Sequence, residues 1–210
     1  MYHYGAWIQD TDETAHKHLN ENDWRTLSGL SYGRHTIIEV GCNQGGTTRL
    51  FAQGAEQVFA VDWFKGDVDM GESDPGELQQ KFSQNCADVL ESNRVILYAM
   101  DTLTAAEQLR ADGVTADMIF IDADHSYEAC KADIEAYLPL LRKGGVLCGH
   151  DVGSFPSVTQ AVEEAFPNAW VLPDFIWLWR EKQNPMPAGY SIVWDTWTTR
   201  HAVARVAPEK

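Results

Sequence analysis

From residue 37 to about residue 151, short apolar, β-branched runs alternate with amphipathic stretches. Strands that read as unbroken apolar runs are buried on both faces, and joining them through helices makes the sheet parallel. The pattern therefore predicts an α/β chain built of βαβ units. Residues 36–40, 57–61, 94–98 and 118–121 read as the first four strands, each ending where polar or glycine residues begin. Residues 145–148 read as the fifth. They follow a helix whose apolar positions Tyr127, Cys130, Ile134, Tyr137, Leu138 and Leu141 recur at three- and four-residue steps. Gly144 and Gly145 are expected to close that helix with a left-handed cap. Residues 158–166 read as a further helix, and 169–180 and 190–196 as two strands around the turn-rich stretch 183–189. The expected fold class is α/β: a Rossmann-like, doubly wound, mainly parallel sheet of about seven strands with a C-terminal antiparallel hairpin.

Two segments stand apart from this rhythm. Residues 1–30 set Trp7, His16, His18 and Trp24 in a polar background, which predicts an N-terminal helical cap or interface segment ahead of a main domain over 31–210. Such a segment is compatible with a homodimer. Residues 66–76 carry Asp67, Asp69, Glu72 and Asp74 among three glycines and a proline, and read as a long surface loop of the kind used as a lid. The net charge of −15 argues against a nucleic-acid partner. No apolar run approaches the ~18 residues of a membrane span, and residues 1–13 lack a basic region followed by an apolar stretch, so a cytoplasmic chain without a membrane partner is expected. Cys42, Cys86, Cys130 and Cys148 form no CxxC pair and are expected as buried free thiols. Trp170, Trp177, Trp179, Trp194 and Trp197 crowd the C-terminal third, where a strand apolar on both faces predicts core or subunit interface.

The most specific motif is Glu39-Val40-Gly41-Cys42-Asn43-Gln44-Gly45-Gly46 at the first strand-to-helix turn, followed by Asp62 at the end of the second strand. Glycine lets a backbone turn tightly beside a ligand, and an acid ending the second strand can accept hydrogen bonds from both ribose hydroxyls of an adenosine. The dinucleotide fingerprint G-x-G-x-x-G requires glycine where Asn43 stands. The order Glu-x-Gly-x-x-x-Gly instead resembles the first motif of class I S-adenosylmethionine (SAM) methyltransferases, and the resemblance extends over about residues 36–151. It implies that Glu39, Gly41, Cys42, Asn43 and Gly45 surround the amino-acid portion of SAM and that Asp62 holds the ribose. Trp63 would then pack on the adenine and Asp101-Thr102 would meet its edge, with Asp122 also at the cofactor.

A second acidic cluster lies at the ends of strands four and five, in Asp122-Ala123-Asp124-His125 and Gly149-His150-Asp151. Parallel strands lie about 4.8 Å apart, so side chains leaving the same end of both can converge on one ion. Asp122, His150 and Asp151 would supply two carboxylates and an imidazole, a set open to Mg²⁺, Mn²⁺, Fe²⁺ or Zn²⁺. The competing reading is helix capping, by Asp124 near Ser126 and by Asp151 further on. The two motifs together resemble the branch of class I methyltransferases that holds metal-dependent sugar O-methyltransferases. The resemblance implies Asp122, His150 and Asp151 as ligands of Mg²⁺ or Mn²⁺, and Asp124 or His125 as general base. His150 departs from that branch, which has a carboxylate there.

The function expected is methyl transfer from SAM to a hydroxyl of a small-molecule acceptor, assisted by a divalent cation. Three other readings stay open: a metal-independent methyltransferase with a histidine base, an NAD-dependent oxidoreductase or epimerase, and a non-catalytic SAM-binding module.

Overall fold

The computed structural model of the chain describes residues 19–66, 75–172 and 175–181. Its elements run α1 (Glu21–Ser31), β1 (Arg34–Val40), α2 (Gly46–Gly54), β2 (Ala55–Asp62), α3 (Pro75–Asn85), α4 (Ala87–Glu91), β3 (Val95–Ala99), α5 (Thr102–Ala111), β4 (Ala116–Ile121), α6 (Tyr127–Tyr137), β5 (Leu141–Gly149), α7 (Pro156–Ala165), β6 (Trp170–Val171) and β7 (Trp177–Trp179). The seven strands form one sheet in the order β3-β2-β1-β4-β5-β7-β6. β1 to β5 are mutually parallel, whereas β7 runs antiparallel to both β5 and β6. This is the expected Rossmann-like sheet with an antiparallel C-terminal pair. Among the described residues no helix is long and apolar enough to cross a membrane.

The central strands are buried on both faces because successive side chains leave a strand in opposite directions. Ile37 joins Trp24, Leu27, Phe51 and Phe82 on one face, while Ile38 joins Leu109, Ile134, Tyr137 and Val162 on the other. β7 and the residue before it repeat the pattern, with Ile176 and Leu178 in the first core and Trp177 in the second. Trp177 is thus core, as its two-faced strand implied, and Trp179 stacks on Phe166 with ring centroids 4.6 Å apart. The four cysteines are buried free thiols. Helix α1 starts at a capping box, Asn20 accepting from Asp23 N while Asp23 Oδ2 accepts from Asn20 N. It packs Trp24 and Leu27 into the same core as the sheet. Trp7, His16 and His18 lie outside the described residues, as does the loop from 67 to 74.

Two local expectations are corrected. Helix α6 stops at Tyr137, four residues before Leu141, and a 3-10 turn over Leu138–Leu140 follows. Pro139 has no N–H to give a preceding carbonyl, so the helix cannot run on. Gly144 and Gly145 consequently cap no helix. They lie inside β5, where the pairing with β4 shifts register between Ala116 and Met118 and Gly144 takes φ +80°. The strand expected over 169–180 is broken: Leu172 N bonds to Ile176 O at 2.7 Å, folding β6 back on β7 as a hairpin within that stretch. The expected partner over 190–196 lies outside the described residues.

The order of strands reverses between β1 and β4, and the two chains leaving them pass unusually close. Gly41 has φ +90°, and a Cβ there would lie 1.9 Å from the carbonyl oxygen of Asp122. Gly41→Ala is therefore expected to lower the unfolding free energy by at least about 2 kcal/mol, read as a drop in the urea midpoint, since neither backbone can yield independently.

Candidate active site

In an open parallel sheet the loops at the carboxyl ends part where the strand order reverses, and ligands bind in that crevice. Here a cleft of about 400 Å³ opens at that place. The residues leaving β1 (Gly41, Cys42, Asn43), β2 (Asp62, Trp63), β3 (Asp101, Thr102), β4 (Asp122, Asp124, His125) and β5 (His150, Asp151) all line it. Of the site residues expected from sequence, Glu39 and Gly45 are absent from this lining.

Glu39 is fully buried beneath the turn, where its carboxyl group accepts hydrogen bonds from the hydroxyls of Thr47 and, at 2.5 Å, of Thr48. It fastens the first turn of α2 to the end of β1. Its expected contact with a ligand is corrected to a supporting one, because no part of the side chain reaches the cleft. Gly45 is the N-cap of α2 and takes φ +88°. Asn43 takes φ +45° and donates its N–H to Asp62 Oδ2 at 2.7 Å, while Asp62 Oδ1 accepts from Phe64 N at 2.7 Å. The strand-two acid thus holds the glycine turn and its own loop together. Each oxygen of an ionised carboxylate has a second lone pair for a ligand hydroxyl. Trp63 is about half exposed and donates Nε1–H to Gly66 O at 2.8 Å, which sets its indole at the cleft mouth.

Asp101 caps α5, accepting from Leu103 N and Thr104 N at 3.1 Å each. Thr102 gives its hydroxyl to Asp133 Oδ1 at 2.6 Å, and its carbonyl accepts from Tyr137 Oη at 2.7 Å. Asp124 Oδ1 accepts from Ser126 N at 2.7 Å, and Ser126 is the N-cap of α6. Asp124 is therefore a turn former two residues ahead of the cap. The capping alternative for Asp151 also fails to appear: its backbone carbonyl, and not its carboxylate, receives Ser154 N and Phe155 N.

In the same cleft Asp122, His125 and Asp151 come together, each offering one atom within 4.8 Å of the others. His125 Nε2 lies 3.0 Å from Asp151 Oδ2, and its ring stacks on Phe155 at a centroid distance of 4.1 Å. His150, expected as the third member of this group, lies beside it, between Asp151 and Asp23. Its Nδ1 lies 3.2 Å from Asp151 Oδ1 and its Nε2 3.4 Å from Asp23 Oδ2. The group the geometry gathers contains His125 in place of His150, because Asp23 arrives from α1 and engages the buried imidazole from behind.

Several residues in or behind the cleft carried no sequence expectation of a role, among them Asp23 behind His150 and Asp133, Leu19 and Phe155 in the lining. Asp23 sits at the third position of a capping box, which gave it a sufficient local purpose. Asp133 did leave a signal, an acid inside the apolar stripe Cys130, Ile134 and Tyr137 of α6. Leu19 and Phe155 left none.

The comparisons with known proteins agree with one another on the fold. A family profile described as "Methyltransferase domain" matches residues 38–152. The structure resembles CalS11, a calicheamicin methyltransferase, with a TM-score of 0.60 and 18% identity over 77% of this chain and 79% of that one. It also resembles an O-methyltransferase from Bacillus cereus in complex with S-adenosylhomocysteine, with a TM-score of 0.59 and 19% identity over 79% and 84% of the two chains. An rRNA methylase from Streptococcus thermophilus is similar to the same degree, with a TM-score of 0.57 and 15% identity over 79% and 99%. Neighbours so different in substrate carry the fold and not the acceptor. No curated protein matches the chain.

Burial and charge act against each other throughout the cleft. Burial pushes the Glu39 carboxyl up to about 8, although the Thr47 and Thr48 hydroxyls pull it down. Burial also pushes Asp122 to about 6, against the pull of His150. Burial likewise disfavours ionised Asp151, yet hydrogen bonds from His125 and His150 hold it well below the usual carboxylate range. For His150, burial disfavours the cation, but the carboxylates of Asp151, Asp23 and Asp122 outweigh it and raise the imidazole to about 10. A histidine raised from 6.5 to about 10 stabilises the fold fully below pH 6.5, and that contribution is lost as pH rises through 10. Glu39 acts in the same direction: a carboxyl raised from 4.5 to about 8 makes the folded state bind more protons than the unfolded one, so stability falls between those values. The urea midpoint should therefore decline from pH 6 to pH 10. Glu39→Gln should reduce the slope only below pH 8, whereas His150→Gln should reduce it from pH 6.5 to pH 10 and remove most of it above pH 8.

Proposed function

The chain belongs to the methyltransferase-domain family, and on that footing we propose that it moves the methyl group of SAM to a hydroxyl of a small-molecule acceptor. The observation that carries the acceptor half of this reading is the convergence of Asp122, His125 and Asp151 in the cleft that the glycine turn and Asp62 also line. Bound there, SAM supplies a methyl group made electrophilic by its sulfonium. The chain's part is to hold donor and acceptor in line and to dispose of the hydroxyl proton.

The donor half follows from the residues at the strand ends. Asp62, already fixed by two backbone amides, accepts the ribose hydroxyls. Trp63 offers an apolar face and Asp101-Thr102 an edge for the adenine, while Gly41 to Asn43 admit the amino-acid portion to the backbone. Holding an acceptor oxygen about 3 to 3.5 Å from the methyl carbon supplies much of the rate, since orientation alone is worth ~7–11 kcal/mol. The carboxylates also favour a cationic donor over its product, which is neutral at sulfur.

Two carboxylates and an imidazole make a donor set that suits a divalent cation such as Mg²⁺ or Mn²⁺, and Asp122, His125 and Asp151 are the residues that would hold it. Such an ion would acidify the acceptor hydroxyl. A second reading rests on the direct pairing of His125 Nε2 with Asp151 Oδ2, a base and its orienting acid complete without an ion. His125 then takes the proton itself, and Asp151 stabilises the imidazolium. Asp124 is the weaker base candidate, since Ser126 N already occupies one of its oxygens.

Calorimetric titration of metal-stripped protein with S-adenosylhomocysteine, repeated after adding Mg²⁺ or Mn²⁺, tests both halves. Micromolar binding is expected, weakened at least tenfold by Asp62→Ala. Asp122→Ala and Asp151→Ala should leave it within about twofold while removing the heat of metal addition. Absence of binding by the unaltered protein would overturn the proposal. Absence of any metal heat, with turnover insensitive to chelator, would select the histidine base.

A further inference from the structure

Asp23 is placed more deeply than a capping box requires. Such a box needs, at the third helical position, only an acceptor for the N-cap amide, which an exposed side chain at a helix end can supply, yet Asp23 is 1% exposed. Its Oδ2 accepts from Asn20 N at 3.0 Å and lies 3.4 Å from Nε2 of His150, itself 6% exposed. Neither Asp23 Oδ1 nor His150 Nε2 has a hydrogen-bond partner among the described residues, although both atoms are shut off from water. A buried ion pair completed so sparingly is a poor stabiliser, because apolar side chains of similar volume would fill the space at less cost. What the pair does supply is a fixed orientation for the imidazole, whose Nδ1 lies 3.2 Å from Asp151 Oδ1.

Asp151 has need of such a hold. It takes φ +69°, a left-handed conformation that a residue with a side chain adopts at a cost, and such a cost persists where the surroundings fix one geometry. Its two oxygens face two imidazoles, Oδ1 towards His150 and Oδ2 towards His125 Nε2 at 3.0 Å. With His150 turned away, Oδ1 would lose this tie and the carboxylate could rotate off His125. The hydrogen bonds of a histidine ring decide which nitrogen carries the proton, so a firmly held Asp151 keeps neutral His125 in one tautomer, with the proton on Nε2. Resting on the roles given above to His125 and Asp151, we propose that Asp23 is a positioning residue of the active site, acting on His125 through His150 and Asp151. Helix α1 thereby has a part in the chemistry that its capping and packing do not require.

The test breaks the capping box in two ways. Asp23→Ala removes the carboxylate, whereas Asn20→Ala removes the other half of the box and leaves Asn20 N to bind Asp23 Oδ2. Asp23→Asn keeps the shape and an oxygen for Asn20 N but no charge, and it serves if Asp23→Ala does not fold. In metal-free protein, nitrogen-15 NMR of the histidine rings, recorded where His125 is neutral, should show its two ring nitrogens far apart, as one tautomer requires. Asn20→Ala should keep that separation, and Asp23→Ala should collapse it towards the average of the two tautomers, with Asp23→Asn moving the same way. Mn²⁺ affinity, read by calorimetry, should fall about ten- to a hundredfold in Asp23→Ala and stay within about twofold in Asn20→Ala. A His125 spectrum that the Asp23 variants leave unchanged would overturn the proposal and make Asp23 a helix cap only. So would an equal change in Asn20→Ala, which would trace the effect to the seating of α1. If the unaltered protein binds no Mn²⁺, the spectra alone decide. Failure of the unaltered protein to bind S-adenosylhomocysteine would defeat the SAM reading, whereas the result at His125 would stand by itself.

Discussion

Everything in the cleft depends on how closely the backbone leaving β1 passes the backbone leaving β4. The two strands are neighbours across the reversal of strand order, and Gly41 is the residue that lets the Asp122 carbonyl pass at a distance no side chain tolerates. That contact sets the donor half and the acceptor half of the site side by side. The glycine turn then needs only to be held in shape, which Glu39 does from below through Thr47 and Thr48, and Asp62 does from the side through the Asn43 amide. Such hydrogen bonds to preset acids leave the turn formed before any ligand enters, so little ordering cost remains to be met on binding.

The large features were legible in the sequence because they rest on local chemistry. Five apolar runs and the helices between them follow from periodicity, and the five strands appear where expected, within a few residues at either end. The glycine turn and Asp62 could be placed at adjacent strand ends for the same reason. Misjudged details came from competition between nearby signals. Pro139 ended α6 ahead of the two glycines that looked like its cap, and the glycines then served a register shift in β5. The long aromatic stretch near the C-terminus was read as one strand because nothing in its composition shows where the backbone folds back between Leu172 and Ile176.

The acceptor end was harder to read, and for a different reason. His150 and Asp151 are neighbours in sequence, and the obvious inference joined both to Asp122. The imidazole is turned aside by Asp23, a residue of the first helix whose meeting with β5 no local pattern encodes. His125 then fills the gap, held by Asp151 on one side and by the Phe155 ring on its face. A contact between residues so far apart in sequence is the kind of fact that only packing decides. Asp133 shows the opposite case, an acid out of place in an apolar stripe whose oddness was visible in the sequence but had no meaning until the cleft beside it was known.

The chain of side chains from Asp23 through His150 and Asp151 to His125 runs from α1 across the edge of the sheet, alternating acid and imidazole. Each inner member has an acid–imidazole contact on both sides, and none of them is well exposed to water. Such a row is expected to be kept or lost as a unit. Replacing Asp23 alone leaves a buried imidazolium short of a counter-charge, and replacing His150 alone takes from Asp23 and Asp151 the cation they share. Relatives that keep the glycine turn but lack the first helix should therefore carry neither an acid equivalent to Asp23 nor a histidine before the second carboxylate. Positions 23 and 150, far apart in the sequence, are expected to co-vary more tightly than either does with its immediate neighbours.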